Sequence, residues 1–167
     1  MNPKYFQLLS YLRENSREKL TCISKHTNIP ISTLFDSLKQ LQEKVITKHT
    51  ILINFQELGY HTQAQVFLKI GKSDIDIVKN FLNHHHNVNS IYKINNGWDF
   101  LIETVHKNNR ELDMFLELIQ KKYNIEKHEI HYLIDEIKKE GFMNFEQQEN
   151  NLSSTNHNTK LNHLVYS

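Results

Sequence analysis

The chain has a single cysteine, Cys22, among its 167 residues. One thiol can form neither an intrachain disulfide nor a multi-cysteine zinc site, so we interpret Cys22 as a small core residue. Only four glycines are present, which disfavours a glycine loop that cradles phosphates. No nucleophile with a paired base and no carboxylate pair is recognisable. We therefore expect no enzyme activity and no cofactor.

Long apolar runs and an excess of one charge are also missing. No run of about eighteen apolar residues occurs, and the N-terminus begins with an amphipathic pattern rather than a signal peptide. We expect a soluble, cytoplasmic protein with no membrane partner.

The net charge is only +1, yet residues 1–50 carry eight Lys and Arg against four Asp and Glu, whereas residues 51–145 carry eleven against thirteen. A basic N-terminal part thus precedes a mildly acidic body.

The N-terminal part has the pattern of a helix-turn-helix. Within residues 16–46, two short amphipathic segments are separated by Asn28, Ile29 and Pro30. This arrangement, preceded by a first helix that starts near Pro3, indicates double-stranded DNA as a partner. The polar residues expected on the outer side of the second segment, and hence at base edges, are Ser32, Thr33, Ser37 and Gln40. The cations expected to contact phosphates are Arg17, Lys25, Lys39, Lys44 and Lys48.

The rest of the sequence, together with the N-terminal helices, predicts an α+β fold. Residues 45–55 are rich in β-branched side chains and are expected to form a small wing and a linker strand. From residue 62 the order is βαββαβ, as in ferredoxin-like domains, and Asn96-Gly97 predicts the turn of a hairpin. The expected elements are strands at 63–70, 88–94, 98–106 and 128–137, and helices opening at Ser73 and spanning about 109–123. The predicted organisation is a winged helix-turn-helix at 1–50, a linker strand at 51–61, a ferredoxin-like domain at 62–142 and a disordered tail at 143–167.

Such a domain leaves one face of its sheet without helices. Large apolar side chains on that face would be costly to leave in water, so we expect two subunits to pack sheet against sheet as a homodimer. The residues predicted to populate the face are Phe67, Ile91, Leu101 and Leu133.

Three consecutive histidines, His84, His85 and His86, raise the question of a metal site. Adjacent side chains in a loop diverge, so at most two of them would meet one ion, and no Cys, Asp or Glu lies nearby in sequence. We therefore expect no metal.

Taken together, these marks resemble the Lrp/AsnC family of transcription regulators over residues 3 to about 140. Four short motifs carry the resemblance, and they occur in the family's order and spacing. They are Asn15-Ser16-Arg17, Leu41 to Ile46, Leu58-Gly59-Tyr60 and Gly97-Trp98-Asp99. The resemblance implies a C-terminal domain of the RAM type that dimerises or assembles further and commonly senses an amino acid or other small effector. It places effector-binding candidates at the turn, namely Asn95, Asn96, Gly97 and Asp99. A plain structural role for this turn is an equal alternative.

The chain departs from the family pattern at three places. No glycine lies between Lys44 and Val45, so the recognition helix must end differently. Pro30 occupies the position of the usual serine cap, which makes Ser32 the substitute candidate for capping. Asp36 stands where a basic residue is common and weakens the attraction for phosphate. Two alternatives remain at this point, a protein-interaction module without DNA binding and an enzyme similar to the sirohaem decarboxylases.

Overall fold

The computed structural model describes residues 3–143, so the expected tail from residue 144 onward lies outside the described residues. The chain divides into two compact units, and within the described range the first comprises residues 3–52 and 138–143 while the second comprises 53–137. The helices are α1 (Pro3–Glu14), α2 (Leu20–Thr27), α3 (Ile31–Lys44), α4 (Ile75–His84) and α5 (Asn109–Lys122), and the strands are β1 (Thr62–Ile70), β2 (Val88–Lys93), β3 (Phe100–His106) and β4 (Ile125–Tyr132). None of the described helices is both long and apolar enough to cross a bilayer.

The first unit is built from three helices around a small apolar core. Each helix buries one stripe of side chains, because the apolar residues recur at intervals of three and four. The buried set is Leu8, Leu9, Ile23, Ile29, Leu34 and Leu41.

The segment that follows Ile137 returns to this first unit. Met143 packs against its core, and Arg13 of α1 pairs with the carboxylate of Glu140 at 2.7 Å. From the sequence, residues 138–142 were expected in the second domain and residue 143 in the tail. These residues show no apolar periodicity of their own. The unit to which they belong is therefore determined by tertiary contacts, which a local sequence pattern does not reveal.

The second unit has the ferredoxin-like fold predicted from the sequence. Its four strands are antiparallel in the order β2-β3-β1-β4. Strand β1 alternates buried and half-buried residues along its whole length, which matches a sheet covered by helices on one face. The core lies between sheet and helices, with Val66, Leu68, Ile102, Leu112 and Ile119 among its fully buried side chains.

Helix α5 begins with side-chain capping. The side chain of Asn108 accepts a hydrogen bond from the backbone N–H of Glu111 at 3.0 Å, and the Glu111 carboxylate accepts one from the backbone N–H of Lys107 at 3.0 Å. The first bond caps the first turn of the helix, and the second ties the residue before the N-cap to that turn. Helix α4 starts differently from the prediction, because Asp74 rather than Ser73 precedes its first residue.

The predicted wing and linker strand are not formed in the described chain. No helix or strand lies between Val45 and Phe55, and a short 3₁₀ turn follows at Gln56–Leu58. A strand needs a neighbour for its backbone groups, and the only strand pairs described are those within the four-stranded sheet. The β-branched composition of this segment therefore misled the prediction.

Strand β4 also ends earlier than predicted. The strand ends at Tyr132, and one further backbone hydrogen bond to β1 follows it. In that bond the N–H of Leu133 donates to the carbonyl of Gln63 at 2.9 Å. Because β1 begins at Thr62, the described residues after Leu133 do not continue the pairing with β1.

Candidate nucleic-acid interface and open sheet face

The turn between α2 and α3 is fixed by local hydrogen bonds. Asn28 adopts a left-handed conformation with φ of 55°, which ends α2. The hydroxyl of Ser24 donates to the carbonyl of Ile29 at 2.6 Å, and the hydroxyl of Thr27 donates to the carbonyl of Ile23 at 2.7 Å. Ile29 is buried in the core of the first unit. These contacts hold α2 and α3 in a helix-turn-helix, as the sequence predicts.

Both ends of α3 differ from a usual recognition helix. Pro30 stands at the N-cap and no side chain caps the first turn, so Ser32 does not act as the substitute cap we expected. At the other end, the backbone N–H groups of Val45 and Ile46 both donate to the carbonyl of Leu41 at 2.8 Å. This shared acceptor ends the helix without a glycine.

The outer side of α3 is not the one the sequence predicted. Ser37 is only 6% exposed and lies on the buried side with Leu34 and Leu41, so it cannot reach a base in this conformation. Thr33 is half-buried. Gln40 is exposed, but its side-chain oxygen accepts a hydrogen bond from the hydroxyl of Tyr5.

An exposed ridge instead follows the i, i+3, i+4, i+7 spacing that marks one face of a helix. Its members are Ser32, Phe35, Asp36 and Lys39. Of the four predicted base contacts, Ser32 alone lies on this ridge. Phe35 was missed because a large apolar residue in a helical pattern is normally interpreted as core.

The five predicted phosphate contacts are all exposed. Arg17 lies between α1 and α2, Lys25 lies on α2, and Lys48 follows α3. The remaining two, Lys39 and Lys44, belong to α3 itself. Within residues 3–143, none of the five forms a salt bridge. Their positive charge is therefore not neutralised by carboxylates of the described residues and is available to an anionic partner.

The sheet face opposite the helices carries large side chains. Phe67 packs against the rings of Trp98 and His131, with centroid separations of 5.7 Å and 5.3 Å. The Lys127 ammonium lies 4.7 Å from the centre of the Trp98 ring. Register places Tyr92 beside Leu101 and Leu133 beside Gln63 on the same face, which we call the open face.

Ile91 does not belong to the open face, contrary to the prediction. An irregularity between Val88 and Ser90 shifts the register, so Ile91 pairs with Ile102 and packs against the helix-side core. One extra residue in a strand reverses the direction of the side chains that follow it.

The hairpin turn between β2 and β3 has the geometry expected of Asn96-Gly97. Both residues have positive φ, 62° and 91°, as a primed turn requires. Asn95, Asn96 and Gly97 are exposed. Asp99 is half-buried, and its carboxylate accepts from the backbone N–H of Ile70 at 2.9 Å and pairs with the ammonium of Lys69 at 3.2 Å. Three of the four effector candidates are thus exposed at the turn, whereas Asp99 is already occupied in holding the hairpin.

The histidine triplet forms no metal cluster. The rings of His85 and His86 stack with centroids 4.7 Å apart, and Nδ1 of His84 lies 2.8 Å from the carbonyl oxygen of Asn80. No group of three or more side chains suited to a metal was found among residues 3–143.

One histidine of β3, expected to be either a packed or a surface residue rather than a ligand, lies in the core. His106 is fully buried against Phe115, and neither ring nitrogen has a hydrogen-bond partner among the described residues. Burial lowers the pKa of His106, and the nearby Glu111 opposes that shift. Burial also lowers the pKa of His85, with a smaller contribution from His86.

The comparisons with known proteins agree with this architecture. Residues 63–142 match the family model of the Lrp/AsnC ligand binding domain. An uncharacterised HTH-type transcriptional regulator of Pyrococcus furiosus is 25% identical over 137 residues, which cover 81% of this chain and 92% of that protein. The HTH-type transcriptional regulator FL11 of Pyrococcus abyssi is 28% identical over 114 residues, covering 68% and 76% of the two chains.

The fold also matches a solved structure, that of a transcriptional regulator from Neisseria meningitidis in complex with L-Met. The TM-score is 0.78 at 17% identity, with 83% of this chain and 93% of that chain covered. The resemblance found in the sequence is confirmed, because residues 63–142 match the ligand binding domain of the Lrp/AsnC family and the chain is similar to HTH-type transcriptional regulators over most of its length.

Proposed function

We propose that this regulator binds double-stranded DNA through the exposed side of α3, with Arg17, Lys25, Lys39, Lys44 and Lys48 contacting phosphates. The observation that carries the proposal is the coincidence of a helix-turn-helix, an exposed ridge on its second helix and cations that form no salt bridge with any residue of the described chain. Cations of this kind release counterions from DNA and fix the orientation of the helix, whereas the N-terminal part of the ridge, before Lys39, faces the bases.

The test is the salt dependence of binding. A duplex is first selected from a randomised library by the full chain, and its affinity is then measured over a range of salt concentrations. Lys39→Gln should weaken binding and reduce the slope of log affinity against log salt by about 1, the value for one lost phosphate contact. Lys79→Gln is the matched control, since Lys79 is exposed on α4 in the other unit. Equal slopes for the two variants would contradict the proposed orientation.

We further propose that the chain functions as a homodimer joined through the open face. The apolar side chains of Phe67, Leu101, Leu133 and Tyr92 share that face, and exposing such a patch to water is unfavourable. A dimer would present two α3 helices to two half-sites of an operator.

A small effector, with an amino acid as the first candidate class, is proposed to bind near the hairpin turn. The matched domain description and the L-Met complex of the structural neighbour support this proposal. The turn offers Asn95 and Asn96 as exposed amides and Gly97 as a position where a ligand can approach the backbone closely. An effector bound at the subunit contact would change which half-site spacing the dimer can satisfy, and therefore its affinity for the operator.

The effector proposal is tested by measuring DNA affinity and assembly state with each of the standard amino acids. At least one should shift both measurements, and Asn95→Ala should reduce that shift while Asn83→Ala, an exposed residue of α4, should not. Identical affinity and assembly with every amino acid would remove amino acids as effectors and leave the DNA-binding proposal intact.

A further inference from the structure

Phe35 is an unusual residue for the outer side of a recognition helix. It is 61% exposed, although the neighbouring Leu34 is completely buried. Ile31, one turn earlier, is 48% exposed, so the two side chains form an apolar strip along α3. A large aromatic ring in water is unfavourable unless a partner covers it.

If α3 lies against a DNA duplex, the charges around Phe35 indicate which part of the duplex covers this side chain. Asp36 is exposed beside it on the ridge, and a carboxylate repels the phosphate backbone. Lys39 lies one turn further along and is suited to a phosphate. The Phe35 and Asp36 part of the ridge therefore fits the floor of the groove, where base edges lie, better than it fits the sugar-phosphate walls.

The major groove presents one prominent apolar group, the 5-methyl of thymine, and phenylalanine is among the side chains that contact it. We propose that Phe35 is a specificity-determining residue that selects thymine through its 5-methyl group. This inference rests on the proposed binding of DNA by α3 and adds a readout that the polar candidates Ser32 and Gln40 do not provide.

Replacing thymine by deoxyuridine tests the inference, because it removes the methyl group and keeps the base pair. The duplex selected by the full chain is synthesised with each thymine replaced in turn, and the affinity of each version is measured. At one or more positions in a half-site, the native chain should bind the deoxyuridine duplex about fourfold more weakly, the effect of leaving one methyl-sized group uncovered.

The Phe35→Ala variant should bind the thymine duplex more weakly and should no longer distinguish thymine from deoxyuridine at those positions. Phe35→Leu, which keeps an apolar side chain, should retain part of the discrimination. Ile77→Ala is the matched control, since Ile77 is 59% exposed on α4 in the second unit, and this variant should discriminate as the native chain does. Circular dichroism of each variant verifies that the helices are retained.

Four results would overturn the inference. If the native chain binds all deoxyuridine duplexes equally well, or if Phe35→Ala keeps the full discrimination, Phe35 does not read thymine, although DNA binding by α3 stands. If Phe35→Ala changes the assembly state and leaves discrimination unaltered, the apolar strip is a subunit contact instead. If no duplex is retained from the library even at low salt, the proposed function fails together with the inference.

Discussion

The carboxylate of Asp99 accepts a hydrogen bond from the backbone N–H of Ile70, with a distance of 2.9 Å between Oδ2 and N. The backbone N–H of Asp99 in turn donates to the carbonyl of Leu68 at 2.9 Å. Through this pair of bonds the end of the hairpin is tied to the end of β1. Asp99 therefore has a structural role that does not depend on any effector.

Asp99→Ala is expected to destabilise the second unit by about 1–3 kcal/mol, because it leaves the Ile70 amide without its acceptor. Chemical denaturation monitored by tryptophan fluorescence measures this, since Trp98 is the only tryptophan. Asp113→Ala, at an exposed position of α5, is the control and should change the free energy of unfolding by less than about 0.5 kcal/mol. Equal stabilities of the two variants would argue against the structural role of Asp99.

The proposed dimer is tested by a charge on the open face. Leu133 is 44% exposed and Tyr92 48% exposed, so the double variant Leu133→Glu, Tyr92→Glu should fold normally but bring like charges together at the subunit contact. We expect sedimentation to show the native chain as a dimer or larger assembly and the variant as a monomer at micromolar concentration. Met114→Glu, with 60% exposure on α5, should leave the assembly unchanged. A variant that sediments like the native chain would show that the open face is not the contact.

The sequence predicted the second unit well because its signals are local and strong. Strand β1 alternates strictly, and the Asn96-Gly97 pair specifies its turn through backbone conformation. The errors arose where structure depends on distant residues. The side on which Ile91 lies is set by an irregularity near Asn89, and the absence of a strand at 45–55 reflects the lack of a pairing partner within the described chain.

The candidate DNA-contacting residues were harder to predict, because residue type competed with helix geometry. Ser37 is polar and was expected to be exposed, yet it shares the buried stripe of α3 with Leu34 and Leu41. Phe35 is apolar and was not considered as a contact, yet it is exposed. Counting positions from the buried leucines, rather than selecting by polarity, would have placed both correctly.

The contrast between Ser32 and Ser37 provides a matched pair of variants. Ser37→Asp places an unpaired carboxylate in the buried stripe, and we expect it to destabilise the first unit by several kcal/mol. Ser32→Asp adds the same charge on the exposed ridge and should preserve stability, but it should weaken binding to the selected duplex roughly fivefold, corresponding to about 1 kcal/mol of added repulsion. Thermal denaturation and DNA titration of both variants distinguish the two positions. Similar melting temperatures would contradict the burial of Ser37.

His106 predicts a dependence of stability on pH. The pKa of His106 is lowered in the folded chain, primarily by burial, so below its ordinary value of about 6.5 the unfolded chain binds more protons than the folded one. The contribution of neutral His106 to the free energy of unfolding is therefore fully present above about pH 6.5. It is lost as the pH falls toward the lowered pKa of the folded chain. The charged and titratable neighbours do not reverse the sign, because Glu111 opposes the lowering while His85 and His86 add to it.

His106→Leu removes both the titration and the two ring nitrogens that have no partner among the described residues. We expect this variant to be about 1–2 kcal/mol more stable than the native chain at pH 7.5, since an unsatisfied buried polar group is replaced by an apolar one. The gain should be larger at pH 5.5, where burial of both His106 and His85 weakens the native chain and burial of His85 alone weakens the variant. Urea denaturation at the two pH values measures both differences, and His84→Leu, at an exposed position, should reproduce the native dependence. If His106→Leu lost as much stability on acidification as the native chain does, protonation of the buried imidazole would not be the cause.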